Sequence, residues 1–281
     1  MPFDNRGELV TEVVFRRVDP SRSDFEIFCA TDERGWFYIS MCDEGFLHAY
    51  DENGVLRWAR TDLDNPGQLQ VFKGQLYITM WNDSVDTTQV ELYDRDTGVF
   101  QRLCGLPNSR LFDSFKGHIL TMGILSTGEF VFSDWNGRIF IVPSENSNAK
   151  NITFFDTSHF KSQSSVISSI YIHSDDTIWL PRVFGNSRIN IYTKTGQHLR
   201  SLPVEEVKWC SPSQIAISVI GEIFVSDHNR GLIVYNADFT FNRHVNLNNP
   251  PVINIQCIAV SKFGKVFIGG PLNAGIFKPV M

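Results

Sequence analysis

The chain has 281 residues, 42% hydrophobic and 20% charged, so it can build an ordinary folded core and is not a disordered polymer. Its net charge of −6 excludes a protein that is basic all over and coats nucleic acid by charge alone, while a local basic face stays open. No apolar run approaches the roughly 18 residues of a membrane helix, and the N-terminal MPFDNRGELV lacks the apolar stretch of a signal peptide, so a cytoplasmic location is expected with Met1 as the start.

In chain order, the first strand-like segment is residues 8–17, ELVTEVVFRR, rich in β-branched side chains. A turn residue followed by a short hydrophobic strand then recurs six times. It stands at Gly35 (GWFYIS), Gly74 (GQLYITM), Gly128 (GEFVFSD), Asp176 (DTIWLP), Gly221 (GEIFVSD) and Gly264 (GKVFIGG). The spacing of about 40 to 54 residues, with several short strands per unit, predicts radially repeated β-sheet blades. A second mark repeats independently. Predicted third strands end in Tyr50, Tyr93, Tyr192 and Tyr235, and three of these precede a turn containing Gly54, Gly98 or Gly196.

The fold class is therefore all-β: one domain over residues 1–281, a six-bladed propeller of four-stranded antiparallel blades. The blades fall at about residues 25–60, 68–103, 118–155, 166–202, 213–245 and 254–278. The last unit runs out before its outer strand, whereas 8–17 is left over. Pairing the two closes the ring and hides sheet edges.

Few residues suggest catalysis. Cys29, Cys42, Cys104, Cys210 and Cys257 are scattered and read as reduced thiols without a zinc site or disulfide framework. The seven histidines show no HxH or HxxxH spacing, and neither GxSxG nor a glycine-rich phosphate loop occurs. At the channel end of the inner strands the pattern places Glu26, Gln70, Thr121, Ser168, Gln214 and Gln256. One carboxylate among six residues is a poor calcium site. No cofactor, no metal, no catalytic residue and no enzymatic activity are expected.

The segment from Gly221 to Phe241, GEIFVSDHNRGLIVYNADFTF, resembles an NHL repeat, and so does GEFVFSDWNGRIFIV from Gly128 to Val142. Asp134, Asn136, Arg138 and Ile139 match the family pattern, one residue compressed. Asp227 and Asn229 match in the other unit, where Gly231 and Leu232 replace the Arg-Ile pair. The resemblance implies a six-bladed propeller similar to the recognition domains of TRIM-NHL ubiquitin ligases, in which one face binds RNA or protein. The architecture also resembles calcium-dependent lactonases and a zinc-dependent amidating lyase.

Within that architecture, the corners between second and third strands and the long inter-blade connections emerge on one face, where loops carry function. Trp81-Asn82, Trp135-Asn136 and His228-Asn229 fall at equivalent corners, with Phe184 at a fourth. Against a binding role, Asn suits tight turns and aromatics pack between blades. For it, repeated aromatics offer contact area at low entropy cost. Arg182 and Arg230 supply charged donors, and Trp209 lies in an inter-blade connection. The same loops hold the further cations Arg22, Arg110, Lys161, Arg188 and Lys208 beside Asp43, Glu44, Asp62, Asp64, Asp83, Asp86, Asp113, Glu205 and Glu206. That mixture favours a protein partner, with Trp81, Asn82, Trp135, Asn136, Arg182, Phe184, Trp209, His228 and Arg230 as contacts. Single-stranded RNA on the same face is the alternative, and a metal-dependent lactonase or lyase comes third. Neither DNA nor a membrane is expected as a partner.

Overall fold

A computed structural model describes residues 8–14, 26–42, 44–82, 87–104, 119–134, 137–143, 152–157, 166–183, 188–203, 212–227, 231–245, 255–270 and 273–278. They form six antiparallel sheets. From the channel outwards, the first blade is β2 (Ile27–Thr31), β3 (Phe37–Met41), β4 (Phe46–Tyr50) and β5 (Leu56–Arg60). The second is β6 (Pro66–Phe72), β7 (Gln75–Asn82), β8 (Thr87–Asp94) and β9 (Phe100–Leu103). The third is β10 (Ile119–Ile124), β11 (Phe130–Asp134), β12 (Arg138–Val142) and β13 (Thr153–Asp156). In the fourth, the inner strand comes in two pieces, β14 (Val166–Ile167) and β15 (Tyr171–Ile172), both paired with β16 (Ile178–Val183). There, β17 (Arg188–Tyr192) and β18 (His198–Pro203) follow. The fifth is β19 (Pro212–Ile217), β20 (Ile223–Asp227), β21 (Gly231–Tyr235) and β22 (Phe241–Val245). The sixth is β23 (Cys257–Val260), β24 (Val266–Gly269), β25 (Asn273–Lys278) and, outermost, β1 (Glu8–Val14).

The N-terminal strand closes the ring as expected. It runs antiparallel to β25 from the Glu8–Lys278 pair to Val14–Asn273. Neighbouring inner strands touch all the way round, from β2 through β6, β10, β15, β19 and β23 back to β2. Six buried clusters fill the six gaps between blades. At the seam, Phe37 of the first blade and Phe267 of the sixth lie 5.3 Å apart between ring centroids. Each aromatic or aliphatic side chain buried this way contributes about 1.5–3 kcal/mol. Second strands are sandwiched between blades, so β3, β11 and β20 are buried at every position and read as hydrophobic runs. The outer strands β5 and β13 are mostly exposed and polar or mixed.

The repeated turn has a backbone cause. Gly35, Gly74, Gly128, Gly221 and Gly264 have φ between 76° and 93°, and Asp176 has φ 62°. In five of the six turns the anchor N–H closes the hairpin on the carbonyl three residues earlier, at 2.8–3.1 Å. Asp176 tolerates the left-handed region and gains contacts that glycine cannot make. Its carboxylate accepts from Ser126 N at 2.7 Å and Ser126 Oγ at 2.6 Å, tying blade four to blade three. The four tyrosines mark a different event. Register shifts fall at Tyr50, Tyr93, Tyr192 and Tyr235, where third and fourth strands pair. These bulges add the twist that turns each blade's outer strand away from the channel axis.

Candidate functional site

Backbone bonds bring the inter-blade connections and the second-to-third-strand corners onto one face. Leu63 N donates to Gly45 O at 3.0 Å, and Trp81 N to Asn65 O at 3.1 Å. In blade three, Thr157 Oγ1 donates to Gly137 O at 2.5 Å. The start of β2 joins this face through Cys42 N and Glu26 O, 3.1 Å apart.

Trp81 is half-buried near the end of β7, opposite Thr88, with Asn82 opposite Thr87. Arg182 lies near the end of β16, opposite Ile167 and Arg188. Trp135, Asn136, Phe184, Trp209, His228 and Arg230 lie outside the described residues.

The NHL-like signature at Asp134 has a local role. Its carboxylate is only 2% exposed and accepts from Arg138 N at 2.9 Å and Arg138 Nε at 2.6 Å, while Nη2 lies 2.6 Å away. The pair closes the corner around Gly137. Asp227, at the equivalent position in blade five, is fully buried. Arg60, at the end of blade one's outer strand, behaves similarly. Arg60 grips Asp62 through two bonds of 2.7 Å and also reaches Gly98 O at 3.3 Å. The Arg60 hydrogen bond draws the Asp62 carboxyl below its ordinary value. Glu26 and Asp64 are exposed nearby and Glu44 is half-exposed. The described part of the face is therefore acidic at blade one, where Arg60 is paired with Asp62, and carries the cations Arg182 and Arg188 at the blade-four corner, while Arg138 is paired with Asp134.

Below this face, the inner strands of five blades line a channel cavity of about 230 Å³. Its polar groups are amides and hydroxyls, chiefly Gln68, Gln70, Gln214, Thr31, Ser169 and Tyr171; none of the described lining residues is charged. Two amides bridge neighbouring blades. Gln70 Nε2 donates to Met122 O at 3.2 Å, and Gln214 Oε1 accepts from Ile258 N at 3.0 Å.

The sequence-based channel set is corrected in part. Gln70 and Gln214 line the cavity, but Glu26 is exposed and outside its lining. Thr121 is also outside the lining and lies 2.9 Å from the Ser133 hydroxyl. In blade four Ser169 takes the place expected for Ser168. Gln68 was missed because it lies within the register shift between Pro66 and Leu69, where simple alternation along the strand is interrupted.

Among the described residues, no group of three or more His, Cys, Asp or Glu is arranged to hold a metal ion. Cys29 and Cys257 are free, buried thiols packed together at the seam between blades one and six, and burial pushes the Cys29 thiol well up. No helix of the described residues is long and apolar enough to cross a membrane.

The opposite face, made of the anchor turns, holds an ion-pair network that the sequence pattern did not signal. The buried Asp32 accepts from Arg34 N at 2.8 Å, Trp36 N at 3.0 Å and Tyr38 OH at 3.0 Å. Arg95 of blade two bonds Glu33 at 2.6 Å, so the network joins two blades. Every group in it faces a partner, which suits a structural clamp.

No family model matches the chain, and no curated protein does. The NHL resemblance therefore has no support from sequence families. Solved structures do match in architecture. A streptogramin B lyase aligns with TM-score 0.63 and 13% identity, over 96% of this chain and 97% of the other. A catalytically inactive virginiamycin B lyase from Staphylococcus aureus with quinupristin aligns with TM-score 0.61 and 11% identity, over 98% and 100%. A selenomethionine-substituted virginiamycin B lyase from the same organism gives TM-score 0.56 and 12% identity, over 92% and 89%.

At these identities the likeness establishes the six-bladed propeller. It also corrects the expectation of no enzymatic activity. These neighbours are enzymes built on the same propeller, so the missing short catalytic motifs do not exclude catalysis.

Proposed function

We propose that this propeller recognises a positively charged protein segment on its loop-rich face. One observation carries the reading: Glu26, Glu44, Asp62 and Asp64 cluster at the blade-one sector of the face, where the nearby Arg60 is held by Asp62, whereas Arg182 and Arg188 stand apart at blade four. Phosphates need uncommitted cations, so a basic peptide fits the blade-one sector better than RNA does. Trp81, Asn82, Trp135, Asn136, Arg182, Phe184, Trp209, His228 and Arg230 are the proposed contacts, with Arg182 and Arg230 donating to carboxylates or backbone carbonyls of the segment. Aromatic anchors would supply area, and the acidic rim would supply steering and register. The test is selection of a displayed random peptide library on the purified protein. Enriched sequences should be basic with aromatic or aliphatic anchors, and Glu44→Lys with Asp64→Lys should weaken them at least tenfold. Enrichment of acidic sequences, or indifference to both substitutions, contradicts the reading.

A second reading is favoured by the architectural likeness to lyases over nearly the whole chain. In it, the same face would hold a substrate, and a base from its loops would act on it. Incubation with quinupristin, followed by chromatography for a new product, tests this directly. A product that appears with the protein and not with a heat-denatured sample supports it, and unchanged quinupristin at high enzyme concentration removes that substrate.

A further inference from the structure

We propose that the central channel binds a small, uncharged, polyhydroxylated molecule of about monosaccharide size. This site is separate from the loop-rich face and does not depend on the reading of that face.

Gln68 is 4% exposed and Ser169 is 2% exposed, and both line the channel cavity. Neither Gln68 Oε1 nor Ser169 Oγ has a hydrogen-bond partner in the fold. Native proteins pair nearly all buried polar atoms, so two unpaired ones on one cavity wall call for a ligand. The contrast lies on the same wall. Gln70 and Gln214 spend their amides on neighbouring backbone, whereas Gln68 and Ser169 do not.

The chemistry of the lining narrows the ligand. With no charged side chain among its described lining residues, the cavity would strip water from an ion and return no counter-charge. A divalent cation would also lack carboxylates. An amide both donates and accepts, and so does a hydroxyl, so ligand hydroxyls match this set in either orientation. Val71, Ile170 and Ile258 add apolar walls suited to the C–H faces of a sugar or cyclitol. A volume of about 230 Å³ holds one such molecule, or the equivalent of roughly seven or eight waters.

The test titrates the purified protein calorimetrically with D-glucose, myo-inositol and glycerol at millimolar concentration, beside acetate and methylammonium. Gln68→Leu and Ser169→Ala are measured in parallel, each with its ligand-free Tm. At least one neutral probe should bind saturably, the charged probes should not, and each variant should weaken binding about tenfold or more, the loss of one well-made hydrogen bond to ligand. Both variants should hold or raise the ligand-free Tm, because each deletes an unpaired buried group. The proposal is overturned if no neutral probe saturates or a charged probe binds instead. It is also overturned if the variants bind like wild type, or if both lower the ligand-free Tm, which would mean that channel water already satisfies these groups.

Discussion

Asp176 is the one anchor turn built without glycine, and replacing it separates two effects that the structure puts on one residue. Asp176→Ala removes both bonds to Ser126 and keeps a side chain at φ 62°. Hydrogen bonds to a charged group contribute about 1.5–3 kcal/mol when sheltered. These lie at an exposed edge where solvent competes, so about 1 kcal/mol each is the working figure. Alanine tolerates the left-handed region less well than aspartate, which adds roughly 0.5 kcal/mol. The expected cost is about 2–3 kcal/mol. Asp176→Gly loses the same bonds but recovers the backbone strain, for a net cost of about 1 kcal/mol. In a chain of this size each kcal/mol moves Tm by about 2 °C, so the two variants should fall by about 5 °C and about 2 °C. Thermal and urea unfolding followed by tryptophan fluorescence read both values. If Asp176→Gly exceeds wild type by the full backbone relief of about 1 kcal/mol, the inter-blade bonds contribute nothing, and aspartate is merely tolerated in the turn.

Two further perturbations test the frame. Deleting residues 1–14 removes the six registered pairs between β1 and β25 and exposes an unpaired edge. At about 1 kcal/mol per hydrogen bond the loss is roughly 5 kcal/mol, with self-association visible by light scattering; an unchanged monomer with unchanged Tm contradicts the closure. For Asp175, partial burial opposes ionisation, but hydrogen bonds from Thr177 and His173 outweigh it and bring its pKa to about 2. Because the folded value is depressed, its contribution is fully present above the ordinary value of 3.8 and fades as pH falls towards about 2. A carboxyl NMR titration with a midpoint near 3.8 would refute this.

The ring was legible because its turns leave a residue-type mark. A hairpin that needs positive φ selects glycine, and the same demand explains why Asp stands at position 176. The tyrosines were legible as a repeat but not as bulges, since a bulge appears only in the pairing of two strands. The channel set was misread where the inner strands are irregular. Register shifts between Pro66 and Leu69, and the break between Ile167 and Tyr171 moves the phase in blade four from Ser168 to Ser169. A one-residue change of phase reverses which side chains face the channel. The matched Asp134 and Arg138 carried the family resemblance, yet they meet each other across one corner. Catalysis was expected to be absent because no local motif shows it. Sites assembled from several blades on loops have no local motif to show.

The most direct measurement of the proposed function is a paired titration by fluorescence anisotropy. A labelled lysine-rich peptide bearing one tryptophan and a labelled single-stranded RNA of similar length are each added to the protein at low and moderate salt. The account predicts saturable peptide binding that Trp81→Ala weakens, and no RNA binding at moderate salt. RNA binding that falls steeply with salt, with the peptide left unbound, would contradict it and assign the face to phosphate recognition.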